Sequence, residues 1–196
     1  MPKLGMEPIR TEQVVDATKR CIVKKGVSNL SVKDIASEAR VSTGIIYHYF
    51  ENKEDILLKV IREAFRRSHE QVLEKVEPIE SPRDKLRAYI EQLSEVPKDN
   101  PEFFIILLNY LGQATSNQEI NRIVTHFFGN VISYVEELLS TGAAAGVFKA
   151  DRVKSLAPII VAIGLGMGAM WTISPRTVDI EEMGMTFKDI VRAYIT

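Results

Sequence analysis

The sequence predicts an all-α fold of about nine helices, from three observations. Apolar residues recur at helical spacing along nearly all of the 196 residues, and no stretch alternates strictly enough to make a strand. Cap and breaker residues then cut the chain into helix-sized segments.

Taken in order, Val14, Val15, Thr18, Cys21 and Ile22 form one face of a first helix, and Gly26 follows where a helix end favours a left-handed residue. Ser31-Val32-Lys33-Asp34 reads as a cap with an acid three residues on, opening a short helix that buries Ile35, Ala36 and Ala39. Ser42 caps a third, also short, carrying Ile45, Ile46 and Tyr49. Asn52-Lys53-Glu54-Asp55 starts a long helix, with acids where the dipole favours them; Ile56, Leu57, Val60, Ile61, Ala64 and Phe65 line its buried face. Ser81-Pro82 opens the next, and Pro97 is expected to close it. Asn100-Pro101 opens an intensely apolar segment with Phe103, Phe104, Ile105, Ile106, Leu107 and Leu108. Residues 118–140 are amphipathic and run into the glycines at 142 and 146. Asp151 can start another helix, and a last one lies within 179–195.

Composition is that of an ordinary globular protein: 45% hydrophobic and 26% charged residues, which excludes disorder over most of the chain. The single cysteine, Cys21, excludes an intrachain disulfide framework and a cysteine-based zinc cluster, and fits a reducing cytoplasm. The net charge of −1 hides an asymmetry. Residues 1–67 carry 13 Lys and Arg against 9 Asp and Glu, whereas the remainder carries 12 against 17. A basic front and an acidic rear fit a polyanion-facing head on a body with other work.

Two short helices joined by a tight turn, behind a longer supporting helix, make a helix-turn-helix arrangement. In residues 31–50 the small core falls to Ile35, Ala36, Val41, Ile45 and Ile46, leaving Thr43, Gly44, Tyr47 and His48 on the other face of the second short helix. Gly44 costs that helix about 1 kcal/mol relative to alanine, which close approach of backbone to DNA would justify. Against these stand plainer roles: Ser31 as a cap only, and Tyr47 as a packing residue.

Over residues 10–60 the chain resembles the TetR-type one-component transcriptional regulators. The likeness rests on Gly26, Leu30-Ser31, Ile35-Ala36, Val41 through Phe50 and Asn52-Lys53-Glu54-Asp55, with Tyr47-x-Tyr49-Phe50-x-x-Lys53-Glu54 as its most specific run. Arg40 departs from the pattern, standing where the family usually has a turn glycine. The resemblance implies a DNA-binding domain at 1–52 and a ligand-binding and dimerisation domain at 53–196. It implies base-edge contacts from Thr43, Gly44 and His48, and sugar-phosphate contacts from Ser31, Lys33, Tyr47 and Lys53.

For the body, the resemblance implies an effector cavity among Phe65, Phe103, Phe104, Leu107, Tyr110, His126, Phe127 and Trp171, with Asn109, Gln113 or His126 as polar anchors. These aromatics also read as plain core. It implies a homodimer through the last two helices, packed closely at Ala162, Gly164, Gly168 and Ala169. The expected partners are double-stranded DNA with a near-palindromic operator and a small effector, with no cofactor. A finer likeness, in Met1–Arg10 and Val41–Phe50, is to the choline-responsive repressors of glycine-betaine synthesis. A quaternary-ammonium effector and an activator of the same architecture are the alternatives to a repressor released by a small apolar effector.

Other classes fit poorly. His48, His69 and His126 lack metal-ligand spacing, and neither a nucleophile-base pair nor a phosphate-binding glycine loop appears, so no enzyme and no metal site is expected. Residues 155–175 carry no charge and are long enough to span a bilayer, but three glycines and Pro158 favour a helix buried in a core or between subunits.

Overall fold

The computed structural model describes residues 7–149 and 152–195, which form nine α-helices and no strand among the described residues. They are α1 (Glu7–Lys25), α2 (Val32–Ala39), α3 (Thr43–Tyr49), α4 (Lys53–Val76), α5 (Pro82–Asp99), α6 (Pro101–Ala114), α7 (Gln118–Ala144), α8 (Val153–Ile173) and α9 (Ile180–Ile195). The expected helix start at Asp151, and most of the run Met1–Arg10, lie outside the described residues.

The caps follow local chemistry. Ser31 and Asp34 form a reciprocal capping box, in which the Asp34 amide donates to Ser31 Oγ and the Ser31 amide to the Asp34 carboxylate. Ser42 Oγ accepts from the Ile45 amide, Asn52 Oδ1 from Asp55, Ser81 Oγ from Asp84 and Asn100 Oδ1 from Phe103. Two caps come from residues not singled out in the sequence. Asn117 accepts from the Glu119 and Ile120 amides, and Asp179 accepts from those of Glu181 and Glu182. Pro97 lies inside α5 rather than at its end. So close to the terminus its missing N–H forfeits a single helical bond, and the helix runs on until the Asn100 amide closes it on the Val96 carbonyl.

The chain divides into two compact units. The first holds the described residues through Phe65 together with Ile105–Val124; the second holds Arg66–Phe104 and the described residues from Thr125 onward. The first unit therefore takes in the start of the long fourth helix and parts of α6 and α7, in addition to the head expected at 1–52.

In the first unit α1 packs on α2 and α3. Its core contains Val14, Ala17, Ile22, Ile35 and Ile46, with Ile56, Val60 and Ile61 of α4 equally buried. Tyr110 of α6 is wholly buried, and its hydroxyl donates to the Leu57 carbonyl at 2.8 Å. Asn109 Oδ1 accepts from the Val27 amide at 3.2 Å, just after Gly26, whose φ of 75° is the left-handed turn expected of it. In the second unit α5 lies against α8 and α9, around a core with Leu86, Tyr89, Leu139, Ala157, Ile160 and Phe187.

Candidate functional site

The candidate nucleic-acid interface is built on α2 and α3. Arg40 terminates α2 in the left-handed conformation, φ 55° and ψ 44°, and its amide reaches back to the Ala36 and Ser37 carbonyls. The turn thus keeps the left-handed geometry that the family's glycine supplies, now with an exposed guanidinium attached. Ser42 then starts α3, and Phe50 ends it buried in the head.

Only Ile46 of α3 is fully buried. Thr43, Gly44 and His48 are exposed, and Tyr47 is 56% exposed, which removes the core-packing reading of its ring. Ile45 differs from expectation: it is 38% exposed and stands outside the small core. A seven-residue helix needs just one inward side chain when Phe50 beyond its end also turns in, so Ile45 joins the outward face. There it offers an apolar contact of the kind thymine methyls take. The His48 ring meets Tyr49 edge-on, with centroids 4.8 Å apart.

Lys33 is exposed on α2, and Lys53 is the half-buried first residue of α4. Ser31 is exposed, but its hydroxyl is already engaged: it donates to Asp34 Oδ2 at 2.6 Å and accepts from the Asp34 amide. Lys25 and Ser31 together hold the Asp34 carboxyl well below the usual range. The capping role of Ser31 is met within the chain.

Gly44 is informative for what it lacks. A Cβ built there would meet only Ser42 Oγ, at 3.7 Å, and its φ is not in the left-handed region. Nothing within the chain requires glycine. Gly44→Ala is therefore expected to stabilise the head by about 0.5–1 kcal/mol while weakening DNA binding. Chemical denaturation and a DNA titration read the two signs separately; weaker folding, or unchanged binding, contradicts close backbone approach.

The second candidate site is a small aromatic cavity of about 50 Å³ in the second unit. Phe103, Phe104 and Phe127 line it, together with Ser68, His69, Val72, Tyr89, Leu93, Val96, Val131, Val161, Gly164 and Leu165. Phe103 meets Phe104 and Phe127 edge-on, with centroids 5.0 and 5.9 Å apart. Tyr134 extends the cluster beside Tyr89 and His69, and its hydroxyl donates to Glu77 at 2.6 Å. Burial holds the His69 imidazole below its ordinary pKa of 6.5, with Glu70 pulling the other way. The lining carries neither lysine, arginine nor carboxylate.

Five of the expected pocket residues do not line this cavity. Phe65, Leu107 and Tyr110 are buried in the first unit, His126 is exposed beside Asn130, and Trp171 is half-buried on α8. Asn109 is likewise committed to Val27, and Gln113 donates to the Asn109 carbonyl. What the sequence reading missed is the contribution of His69, Tyr89 and Leu93. His69 and Val72 continue the Phe65 face of α4 at helical spacing, and that periodicity was the available signal.

Gly164 and Gly168, expected at a dimer interface, face inward. A Cβ at Gly164 would lie 2.8 Å from Leu93, and one at Gly168 would lie 2.1 Å from the Phe104 ring. Their smallness serves packing within the subunit. Ala162 is exposed and Ala169 half-buried.

A left-handed turn joining two capped short helices, with an outward face of Thr43, Gly44, Ile45, Tyr47 and His48, defines a helix-turn-helix DNA-binding regulator. Residues 14–60 match bacterial regulatory proteins of the tetR family, and residues 82–196 match the C-terminal part of BetI-type transcriptional repressors. The chain belongs to the TetR family, with a body of the BetI type. It is similar to the HTH-type transcriptional regulator BetI of Agrobacterium fabrum, 34% identical over 63% of this chain and 60% of the relative. It is also similar to BetI of Rhizobium meliloti, 25% identical over 100% of this chain and 94% of the relative. The fold is that of a Saccharomonospora viridis transcriptional regulator solved in complex with choline, with TM-score 0.83 and 22% identity over 94% of this chain and 96% of that one.

Proposed function

We propose that the protein is a homodimeric cytoplasmic repressor, released from a near-palindromic operator when a small effector enters the aromatic cavity. The observation that carries this reading is the outward face of α3, where polar side chains and one needless glycine stand exposed together. Thr43, Gly44 and His48 would read base edges, while Tyr47, Lys33, Lys53 and the Arg40 guanidinium would hold sugar-phosphate. Ser31 would act through its cap.

At about 50 Å³ the cavity holds little more than a water or two. Effector entry therefore needs the rings to move apart, so an effector would select an opened conformer. Helix α6 carries Phe103 and Phe104 of the cavity lining, and further along it carries Asn109 and Tyr110, which hydrogen-bond within the first unit. Displacing the phenylalanines would thus act on the helix that steadies the DNA-binding core. By linkage, operator DNA must weaken effector binding by the same factor.

The lining favours a compact effector without negative charge. A quaternary ammonium fits as a second reading, since aromatic faces attract such cations and a neutral His69 does not repel them. Choline is the first probe. It should release the protein from its operator at concentrations where an anionic effector such as acetate does not; equal effect of both, or of neither, counts against this cavity chemistry. The His69 pKa gives a sign. With its folded value below 6.5, His69 is neutral near pH 7 and gains charge as pH falls below 6.5. Choline affinity should then hold steady near neutral pH and fall once acidification, below the ordinary imidazole range, puts a charge on His69. His69→Phe should flatten that profile in calorimetric titrations, and a slope that persists in the variant assigns it elsewhere.

Helices α8 and α9 leave large apolar side chains exposed: Ile159, Met170 and Ile173 on the first, Met185, Ile190 and Tyr194 on the second. A monomer rarely carries so much apolar surface on neighbouring helices. A second subunit covering this face would also account for the hydropathy of Val153–Ile173, which is long and apolar enough to cross a membrane. Ala162 and Ala169 would then sit at the contact. Light scattering is expected to give a dimer for the native chain and a folded monomer for Met170→Glu with Ile173→Glu. A monomeric native protein contradicts this assembly.

A further inference from the structure

The outward face of α3 carries one large side chain that can neither donate nor accept a hydrogen bond. Ile45 is 38% exposed, whereas Ile46 beside it is wholly buried. Thr43, Gly44, Tyr47 and His48 share that face. We propose that Ile45 is a specificity-determining residue, which selects thymine at one base pair of each half-site by seating against the thymine methyl group. The proposal rests on α3 lying in the major groove, as the reading above has it.

The chemistry of the groove restricts what Ile45 can meet there. Adenine, guanine and cytosine show hydrogen-bonding atoms on their major-groove edges, and thymine adds an exposed methyl group. An aliphatic side chain pressed on a polar edge strips water from it and returns no hydrogen bond. Against the methyl, two apolar groups leave water together. Discrimination therefore comes from rejection of the other bases as much as from attraction to thymine.

The local structure suits this contact. Ser42 Oγ accepts from the Ile45 amide at 3.3 Å, so the cap of α3 fixes the backbone at this residue. Branching at Cβ leaves an isoleucine in a helix one strongly preferred rotamer, and little side-chain freedom is lost on contact. The side chain is also short, and it reaches a base only where the backbone comes close. Gly44, the preceding residue, allows that approach: a Cβ built there would meet only Ser42 Oγ, at 3.7 Å, so the space beside it is open. His48 stands one turn along from Ile45, which sets a polar reader next to the apolar one.

The test uses the full chain and the duplex recovered by selection from randomised DNA. Each thymine of a half-site is replaced in turn by deoxyuridine, which keeps the base pairing and removes only the methyl group. At one position the native protein should lose about fourfold in affinity, the worth of one buried methyl group. Ile45→Ser should bind the thymine and deoxyuridine forms of that duplex equally. Ile45→Val, which keeps a branched apolar end, should retain most of the difference. If serine unfolds the head, Ile45→Ala takes its place, with a reach too short for the full effect. A side chain that only packs within the head would leave the ratio of the two affinities the same in every variant. Three results would overturn the proposal: selected half-sites without thymine, no thymine whose methyl matters to the native protein, or a methyl effect that persists in Ile45→Ser. A persistent effect that vanishes in Thr43→Ser would assign the methyl to Thr43 instead. Enrichment of no sequence would remove the base-reading helix itself, and this proposal with it.

Discussion

Tyr110→Ala is expected to cost the first unit about 3–5 kcal/mol, most of the stability a domain of this kind possesses. The ring is wholly buried, so its removal leaves a cavity that a helix pinned by Asn109 cannot easily collapse into. Tyr110→Phe removes only the hydroxyl that donates to the Leu57 carbonyl, and about 1 kcal/mol should go with it. Urea denaturation read by circular dichroism separates the two variants. DNA binding should fail in the alanine variant and survive in the phenylalanine one. Similar losses for both would mean that the hydrogen bond, and not the packing, holds α6 in place.

Thr43→Ala and His48→Ala are each expected to cost about 1–3 kcal/mol on the preferred DNA sequence, or about 5- to 150-fold in affinity, and to relax the choice of base where they touch. Lys53→Ala should behave differently. A phosphate contact is blind to sequence, so affinity should fall about equally on all duplexes, and the salt dependence should become shallower by about one ion. Binding measured across a small panel of duplexes at several salt concentrations distinguishes the two patterns. If Thr43→Ala and His48→Ala leave the preferred sequence untouched, α3 is not the element that reads bases.

The head was legible because its chemistry is local. Ser31 with Asp34, Ser42 and Asn52 each announce a helix start within four residues, and the structure satisfies all three in that way. Period alone could not separate Ile45 from Ile46, since one turn of helix leaves adjacent apolar residues equally eligible for the core. The body was less readable because its partners are distant in sequence. Gly164 and Gly168 have the spacing of a helix contact, but only the fold reveals that the contacts are Leu93 and Phe104 of the same chain. The aromatic count likewise does not reveal that α6 sends Phe103 and Phe104 to one unit and Tyr110 to the other. Pro97 reads as a stop because the local rule is strong, but near a helix end it costs only one bond.

The role of Arg40 follows from the same geometry. Its left-handed φ shows that the turn needs the conformation rather than the glycine, and an exposed cation at that bend stands beside the face presented by α3.

A sequence-reading surface on α2 and α3 would make the purified protein choose among duplexes. Selection from randomised duplex DNA by the purified protein, followed by the salt dependence of binding to the winner, tests it most directly. The expected winner is an inverted repeat with half-sites about one helical turn apart, roughly 34–36 Å, whose affinity falls steeply as salt rises. Enrichment of no sequence, both before and after the protein is unfolded and refolded free of bound ligand, would contradict it.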